Sequence, residues 1–287
     1  MKNGPEKEPA LSPIDTRAVL GKIAHSPVRK LGQNFLIDPN IVRKSIELAG
    51  VQPGDTIVEV GPGLGTLTRA LLEQDATVYA IEKDPNLANW LGEGLRNRFP
   101  DTFHLVEGDA LTQPTAGLSN AEDFKIVANL PYAISTPWIE KILALPNLPS
   151  VMVLMLQKET ADRFAAQTGT KHFSAITILL QEAYTFAPGH RVSARCFHPV
   201  PKVDSFLLHL RRKNSPVKFT AEQRNFLRDL FTQRRKQLGG QIRRLAPGTP
   251  TERWESLLRR DGHSLQSRAE EIPPALWAEL LQDQGSS

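Results

Sequence analysis

The chain of 287 residues has almost no cysteine; Cys196 stands alone. One thiol excludes an internal disulfide and any cysteine-based zinc cluster. A lone cysteine reads first as a small buried hydrophobe, not as a nucleophile. The seven histidines show no H-E-x-x-H or similar ligand spacing. His198 and His209 are therefore read as surface or core residues, and no metal is expected. No apolar run approaches the roughly 18 residues that a membrane-crossing helix needs. The stretch Met1 to Pro13 is polar and carries Glu6 and Glu8. It lacks the apolar core of a secretory signal and is too acidic for an organelle transit peptide. A large charge imbalance is missing too: the net charge of +4 is compatible with a polyanionic partner without requiring one. Internal repeats and long low-complexity segments are absent. A soluble, cytoplasmic protein is the expectation that these absences leave.

What is present begins with a 40% hydrophobic share, ample for a sizeable core. Residues 1–13 read as a disordered tail, followed by a short helix over Ile14–Ala24. Asp38-Pro39 reads as an N-cap with proline at the first helical position, opening a helix that runs to Ala49. From there apolar strands alternate with amphipathic helices. Strands are expected at Thr56–Val60, Thr77–Ile81, Thr102–Val106, Lys125–Ala128 and Val151–Leu156. Helices are expected after Gly65, at Pro85–Arg98 and at Thr136–Leu145. This alternation predicts a mostly parallel sheet covered on both faces. Glu182–Phe186 and Ser205–Leu210 read as late strands closing the sheet, the second antiparallel. After Asn214-Ser215-Pro216 the strand signals stop, and Phe219–Ser287 reads as helices broken by Gly239-Gly240, Pro247-Gly248 and Pro273-Pro274. The expected organisation is a tail and short helix over 1–28, a Rossmann-like α/β domain over 29–213 and a small all-α domain over 214–287.

Gly61-Pro62-Gly63-Leu64-Gly65 lies between the first strong strand and a helix. Glycines there let the backbone approach a ligand, and the helix N-terminus offers free N–H groups. A nicotinamide enzyme would show G-x-G-x-x-G with a pyrophosphate on that helix. Here the spacing is G-x-G-x-G, and Glu59 precedes it, where it would repel a pyrophosphate. An acid at that point suits a ligand with a cationic amino acid end, as in S-adenosylmethionine. Glu82 ends the second strand, where a carboxylate can accept both ribose hydroxyls. That feature indicates an adenosine without saying which one. Asp109, with Ala110 beside it, follows the third strand and is placed to accept from an adenine amino group. Acids at successive strand ends occupy the edge where α/β sheets bind ligands.

Asn129-Leu130-Pro131-Tyr132 follows the fourth strand on the same edge. An adenine amino nitrogen is a poor nucleophile because its lone pair is delocalised into the ring. The Asn129 side-chain oxygen and the Leu130 carbonyl can both accept hydrogen bonds from such an amino group. Those bonds draw the nitrogen toward tetrahedral geometry and localise its lone pair. Pro131 stiffens the turn, and Tyr132 offers a ring on which an unstacked base can lie. The base must be flipped out or already single-stranded to be reached.

With these residues in view, the chain resembles the bacterial small-subunit ribosomal RNA adenine N6,N6-dimethyltransferases. The resemblance covers residues 29–283. It rests on Gly32-Gln33-Asn34-Phe35-Leu36, Glu59-Val60-Gly61-Pro62-Gly63, Ile81-Glu82, Gly108-Asp109-Ala110, Asn129-Leu130-Pro131-Tyr132 and Leu156-Gln157-Lys158-Glu159. Phe197 with Pro199-Val200-Pro201-Lys202-Val203-Asp204-Ser205, and Arg234-Arg235-Lys236, complete the ordered set. The resemblance implies a Rossmann-like methyltransferase using S-adenosyl-L-methionine and releasing S-adenosyl-L-homocysteine. It implies that Asn34, Leu36 and Gly63 contact the cofactor, that Gly61 lines its methionine part, and that Glu82 binds ribose. It places Asp109 at the adenine, Asn129 beside the methyl group, and Phe197 opposite Tyr132 across the target base. The implied substrate is a pair of adjacent adenosines near the 3′ end of 16S rRNA in the small ribosomal subunit, with a role in subunit biogenesis. One stretch departs from the family pattern. Where the family has Tyr-Gly-x-Leu-Ser-Val, this chain has Phe173-Ser174-Ala175-Ile176-Thr177-Ile178, losing a hydroxyl and a glycine in the region of the target loop.

Basic residues gather late in the chain: Arg234, Arg235, Lys236, Arg243 and Arg244, with Arg259 and Arg260 beyond. Beside an adenine-modifying site they read as phosphate contacts, extended by Arg29 and Lys30; such contacts position RNA without reading its sequence. The alternatives are a large-subunit (23S) rRNA adenine methyltransferase and a non-catalytic RNA-binding assembly factor. A monomer is expected.

Overall fold

A computed structural model describes residues 13–23, 25–28, 32–118, 123–247 and 251–282. The expected N-terminal tail, apart from Pro13, lies outside them, as do Arg29 and Lys30.

Helix α1 (Pro13–Lys22) is followed by the short strand β1 (Phe35–Leu36). Helix α2 (Pro39–Ala49) starts as expected: the Asp38 side chain accepts from the Asn40 N–H at 2.8 Å, and Pro39 fills the first turn. It stops at Gly50, whose φ of 54° is the left-handed cap that glycine adopts without strain. The chain then alternates through β2 (Thr56–Val60), α3 (Thr66–Leu72), β3 (Thr77–Glu82), α4 (Pro85–Leu91), β4 (Phe103–Glu107), β5 (Lys125–Asn129), α5 (Ser135–Ile142) and β6 (Val151–Gln157). Helices α6 (Lys158–Phe164) and α7 (Ala175–Ala183) precede β7 (Tyr184–Val192), β8 (Phe197–His198) and β9 (Ser205–Arg212). The late helices are α8 (Ala221–Thr232), α9 (Leu238–Leu245), α10 (Thr251–Arg260) and α11 (Pro274–Gln282).

The main sheet runs β4-β3-β2-β5-β6-β9-β7, and β1 pairs with β8 in a two-stranded antiparallel ribbon. Strands β4 through β6 are parallel, and β9 is antiparallel to β6. Central strands such as β2 (TIVEV) and β6 (VMVLMLQ) are buried nearly throughout, which explains their continuous apolar runs. Leu71, Val78, Val127 and Val153 meet in one core cluster. Each buried aliphatic side chain of this kind contributes about 1.5–3 kcal/mol. The parallel register brings the carboxyl ends of β2, β3, β4 and β5 to one edge, where a doubly wound sheet binds its ligand.

Two local expectations change. The helix after Pro85 is α-helical only to Leu91 and continues as a π turn over Gly92–Arg96. The strand expected at Glu182–Phe186 starts at Tyr184, because Glu182 and Ala183 close α7, and it extends to Val192. It passes through Pro188-Gly189 because β7 is an edge strand, where a missing N–H is tolerated. The run Phe173–Ile178 forms the entry to α7: Phe173 is fully buried and the Ser174 and Thr177 side chains cap the helix. A phenol hydroxyl at position 173 would need a partner in that interior.

The chain divides into two compact units. One holds the described residues up to Ala161 together with Ala187–Arg211; the other holds Asp162–Phe186 and the residues from Arg212 onward. A single cut near 213 misses the return of 162–186 into the helical unit, where α7 packs on α8 and α11. Trp254 and Trp277 centre that unit's core, edge to face at 6.1 Å. Helix α1 belongs to the first unit, its Leu20 packed with Phe35, Leu64 and Leu87.

Two glycines give opposite expectations. A Cβ on Gly189 would lie 2.3 Å from the Leu207 carbonyl oxygen, whereas one on Gly240 in α9 would meet nothing within 4 Å. Gly189→Ala is expected to lower the urea unfolding midpoint by the equivalent of about 1–3 kcal/mol. Gly240→Ala is expected to raise it by about 0.5–1 kcal/mol.

Candidate active site

Strand β2 delivers Glu59 and Val60 to the sheet edge, and the chain then turns through Gly61–Gly65 into α3. Gly61 and Gly63 have φ values of 67° and 61°, in the left-handed region. A Cβ on Gly61 would sit 3.2 Å from the Pro131 ring, and one on Gly63 would sit 3.0 Å from the Phe35 ring. Only glycine lets this turn lie between the Asn129–Tyr132 loop and the N-terminal segment. The cleft so formed is lined by Asn34, Leu36, Glu59, Gly61, Gly63, Glu82, Asp109 and Ala110, together with Asn129, Leu130, Pro131 and Tyr132. These are all the residues expected around the cofactor and, apart from Phe197, all those expected around the acceptor base.

The acids occupy different environments. Glu59 is 2% exposed, and one of its carboxylate oxygens has no hydrogen-bond partner among the described residues. Burial, with a smaller push from the Glu82 charge, raises its pKa to about 8. An unmet, buried acceptor beside the glycine turn fits a ligand's ammonium group. Glu82 accepts from the Gly63 N–H at 3.0 Å through Oε2 and from the Asp84 N–H at 2.9 Å through Oε1. Burial raises its pKa, and these N–H bonds oppose the rise. Each carboxylate oxygen keeps a lone pair for a ribose hydroxyl. Asp109 accepts from Lys83 at 2.7 Å and from the Leu111 N–H at 2.8 Å, and the Lys83 bond is the main cause that holds its carboxyl below the usual range.

Asn129 closes β5, and its Nδ2 donates to the Asn34 carbonyl at 3.1 Å. That bond uses the donor end of the amide and leaves Oδ1 as the acceptor end. Pro131 takes φ −56° and ψ 126°, and Tyr132 opens a 3-10 turn, half-buried. The cleft therefore brings together an unmet buried carboxyl, a ribose-type carboxylate, and an amide oxygen beside a half-buried aromatic ring.

Local sequence reasoning missed the support beneath the N-terminal segment. Gln33 donates to Asp84 at 3.0 Å, while its oxygen meets His25 Nε2 at 3.0 Å and the Val28 N–H at 2.7 Å. Glutamine followed by Asn34-Phe35-Leu36 gave no sign of this, since its partners lie up to 51 positions away. Lys83, which pairs with Asp109, was also missed; a charged residue directly after Glu82 was the available signal.

Several expected residues lie elsewhere. Phe197 is 1% exposed in β8, pairs with Leu36 and belongs to the main core cluster. It lies outside the residues that line the cleft, whereas the family resemblance implies a place opposite Tyr132. Cys196 beside it donates to Asp38 at 3.4 Å, and burial pushes its thiol up to about 11, far from a nucleophile. Arg234 is engaged within the helical unit. Its guanidinium is committed to Glu270 and to the carbonyls of Thr170 and Lys171, so it ties the helical unit together. Arg235, Lys236, Arg243 and Arg244 are exposed.

Three outcomes follow from these environments. A carboxyl whose pKa is raised on folding destabilises the fold increasingly as pH climbs from its unfolded value to its folded one. For Glu59 that window runs from 4.5 to about 8. Glu59→Gln removes the penalty, so its stability gain over the parent protein should grow between pH 5 and pH 8.5 in urea melts. Arg234→Ala should lower the thermal midpoint. The Arg235→Ala/Lys236→Ala pair should leave the midpoint unchanged and instead flatten the salt dependence of RNA binding in filter assays.

A model of the family described as "Ribosomal RNA adenine dimethylase" matches residues 24–280. The chain is 54% identical to "Ribosomal RNA small subunit methyltransferase A" of Opitutus terrae, over 94% of this chain and 98% of that one. It is 35% identical to the protein of the same name in Clostridium botulinum strain Loch Maree, over 90% and 94% of the two chains. Among solved structures, a dimethyladenosine transferase from Plasmodium falciparum superposes with a TM-score of 0.72 at 26% identity, covering 87% of this chain and 96% of that one. The 23S rRNA methyltransferase ErmE gives a TM-score of 0.65 at 28% identity, covering 87% and 100%. With the glycine turn, the strand-end acids and the Asn129–Tyr132 loop all in one cleft, the chain belongs to the ribosomal RNA adenine dimethylase family.

Proposed function

We propose that the protein is a cytoplasmic monomer that uses S-adenosyl-L-methionine to dimethylate N6 of two adjacent adenosines near the 3′ end of 16S rRNA, in the small ribosomal subunit. The observation that carries this reading is the Asn129 amide. Its donor end is spent on Asn34 at 3.1 Å, leaving a fixed acceptor in the same cleft as Glu59 and Glu82.

The fit to the cofactor rests on Glu59, one of whose oxygens has no partner among the described residues and lies beside the cleft's glycine turn. Glu59 would balance the ammonium of the methionine end, Glu82 would take the ribose hydroxyls, and Asp109 would accept from the adenine amino group. When bound, the cofactor supplies a methyl group on a sulfonium, already electrophilic. The chain's own residues act on the acceptor. Asn129 Oδ1 and the Leu130 carbonyl accept the hydrogens of the target amino group and localise its lone pair. Tyr132 stacks on the base and holds it in place. The amino nitrogen so held would take the methyl group that the cofactor supplies, leaving S-adenosyl-L-homocysteine, and would then give up a proton to water. No strong base is needed, so the contribution of these residues is orientation and electrostatics. Repeating the cycle on the monomethylated nitrogen completes dimethylation. Arg235, Lys236, Arg243 and Arg244 would hold phosphates, which positions the RNA without reading sequence. Small-subunit specificity is favoured over the large subunit by the name shared by both sequence relatives described above.

Purified small and large subunits, tested with radiolabelled cofactor, check the reading. Methyl transfer is expected to small subunits only. Asn129→Ala is expected to lower that transfer by about 100-fold or more, the scale of losing a preorganised polar contact, while RNA binding persists. Transfer confined to large subunits, or full turnover in Asn129→Ala, would refute it.

A further inference from the structure

Tyr132 has a tether that the proposed chemistry does not itself require. Its hydroxyl lies 2.8 Å from Ser205 Oγ, 73 positions along the chain. Ser205 is completely buried, an unusual place for a hydroxyl unless it has a defined partner. Burial raises the Tyr132 phenol above its ordinary pKa, so the pair is neutral at physiological pH.

The serine is a firm anchor. It is the first residue of β9 and pairs with Gln157 at the end of β6, at the sheet edge that also carries Asn129. The residue before it is pinned three ways. Asp204 accepts from Arg191 at 2.8 Å and from the Ala194 N–H at 3.1 Å, and its carbonyl accepts from the Lys158 N–H at 3.1 Å. Tyr132 by contrast sits on a short 3-10 turn directly after Pro131, half-buried, in the lining of the cleft. A tyrosine ring held only through Cβ can swing about χ1. Held at both Cβ and Oη, its long axis is fixed, and the face remains free for a planar ligand. A phenol O–H also prefers the ring plane, so a fixed partner oxygen biases the ring's rotation as well.

We propose that Ser205 is a positioning residue for the acceptor base: its hydroxyl fixes the Tyr132 ring so that the stacked adenine presents N6 to Asn129 Oδ1 in one orientation. The inference rests on the adenine-methylating reading of the cleft. It extends that reading to the second transfer. A monomethylated amino group is bulkier and has one hydrogen fewer to offer Asn129 and Leu130. Its alignment therefore depends more on the stacking surface than that of the unmodified base.

The test uses the full-length protein, purified small subunits and single-turnover kinetics, with products separated by mass spectrometry as mono- and dimethyladenosine. Ser205→Ala and Tyr132→Phe each remove one side of the bond. Each is expected to slow transfer on the order of tenfold, to raise the mono-to-dimethyl ratio, and to leave the dissociation constant of S-adenosylhomocysteine unchanged. The double variant is expected to be no slower than either single one, because both lose the same interaction. Tyr132→Phe keeps the ring and alters only a half-buried position, so it decides the matter if Ser205→Ala fails to fold. Parent-like rates and product ratios in Tyr132→Phe, or losses that add in the double variant, would overturn the proposal. If the parent protein itself forms no dimethyladenosine, the cleft's reading fails. If the parent does and Tyr132→Phe matches it, only the role of Ser205 fails.

Discussion

One hydrogen bond, from Asn129 Nδ2 to the Asn34 carbonyl, ties the end of β5 to a segment 95 positions earlier in the chain. Much of the cleft depends on it. It draws the Gly32–Leu36 segment over the glycine turn, giving the cleft its N-terminal wall. It also settles which end of the Asn129 amide faces the cleft. An amide free to rotate would offer a donor as readily as an acceptor, and a donor there would repel the hydrogens of an amino group. Gly61 and Gly63 belong to the same constraint: the segments that this bond pulls together leave no room for a Cβ on either.

The acids around that bond differ by environment rather than by type. Glu59 is sealed in with an unmet oxygen and stays protonated to about pH 8 without a cation beside it. Glu82 is nearly as buried but spends its charge on two backbone N–H groups, which lock the turn to β3. Asp109 is more exposed and is paired with Lys83. Three carboxyls at one sheet edge thus fit three needs: a charge to be met, a turn to be held and an acceptor kept ionised.

Much of this was legible in the sequence, for a physical reason. Parallel strands buried on both faces must be continuous apolar runs, so β2, β5 and β6 announce themselves, and a doubly wound order then sends Glu59, Glu82, Asp109 and Asn129 to one edge. What stayed hidden in the sequence has another cause. Phe197 reads as a site residue from its motif, and its place in the core beside Leu36, 161 positions away, is not visible locally. Arg234 belongs to a basic run, yet its partners are Glu270 and the carbonyls at 170 and 171. The strand β7 continues through Pro188-Gly189 because it lies at a sheet edge, which no local pattern reports. Local chemistry fixes what a residue can do; distant contacts decide whether it is free to do it.

Everything in the cleft converges on dimethylation of adenine in small-subunit RNA. Mass spectrometry of small-subunit rRNA from cells with and without the protein tests it most directly. N6,N6-dimethyladenosine is expected near the 3′ end in the first and unmodified adenosine at the same positions in the second. Identical dimethyladenosine in both would contradict it.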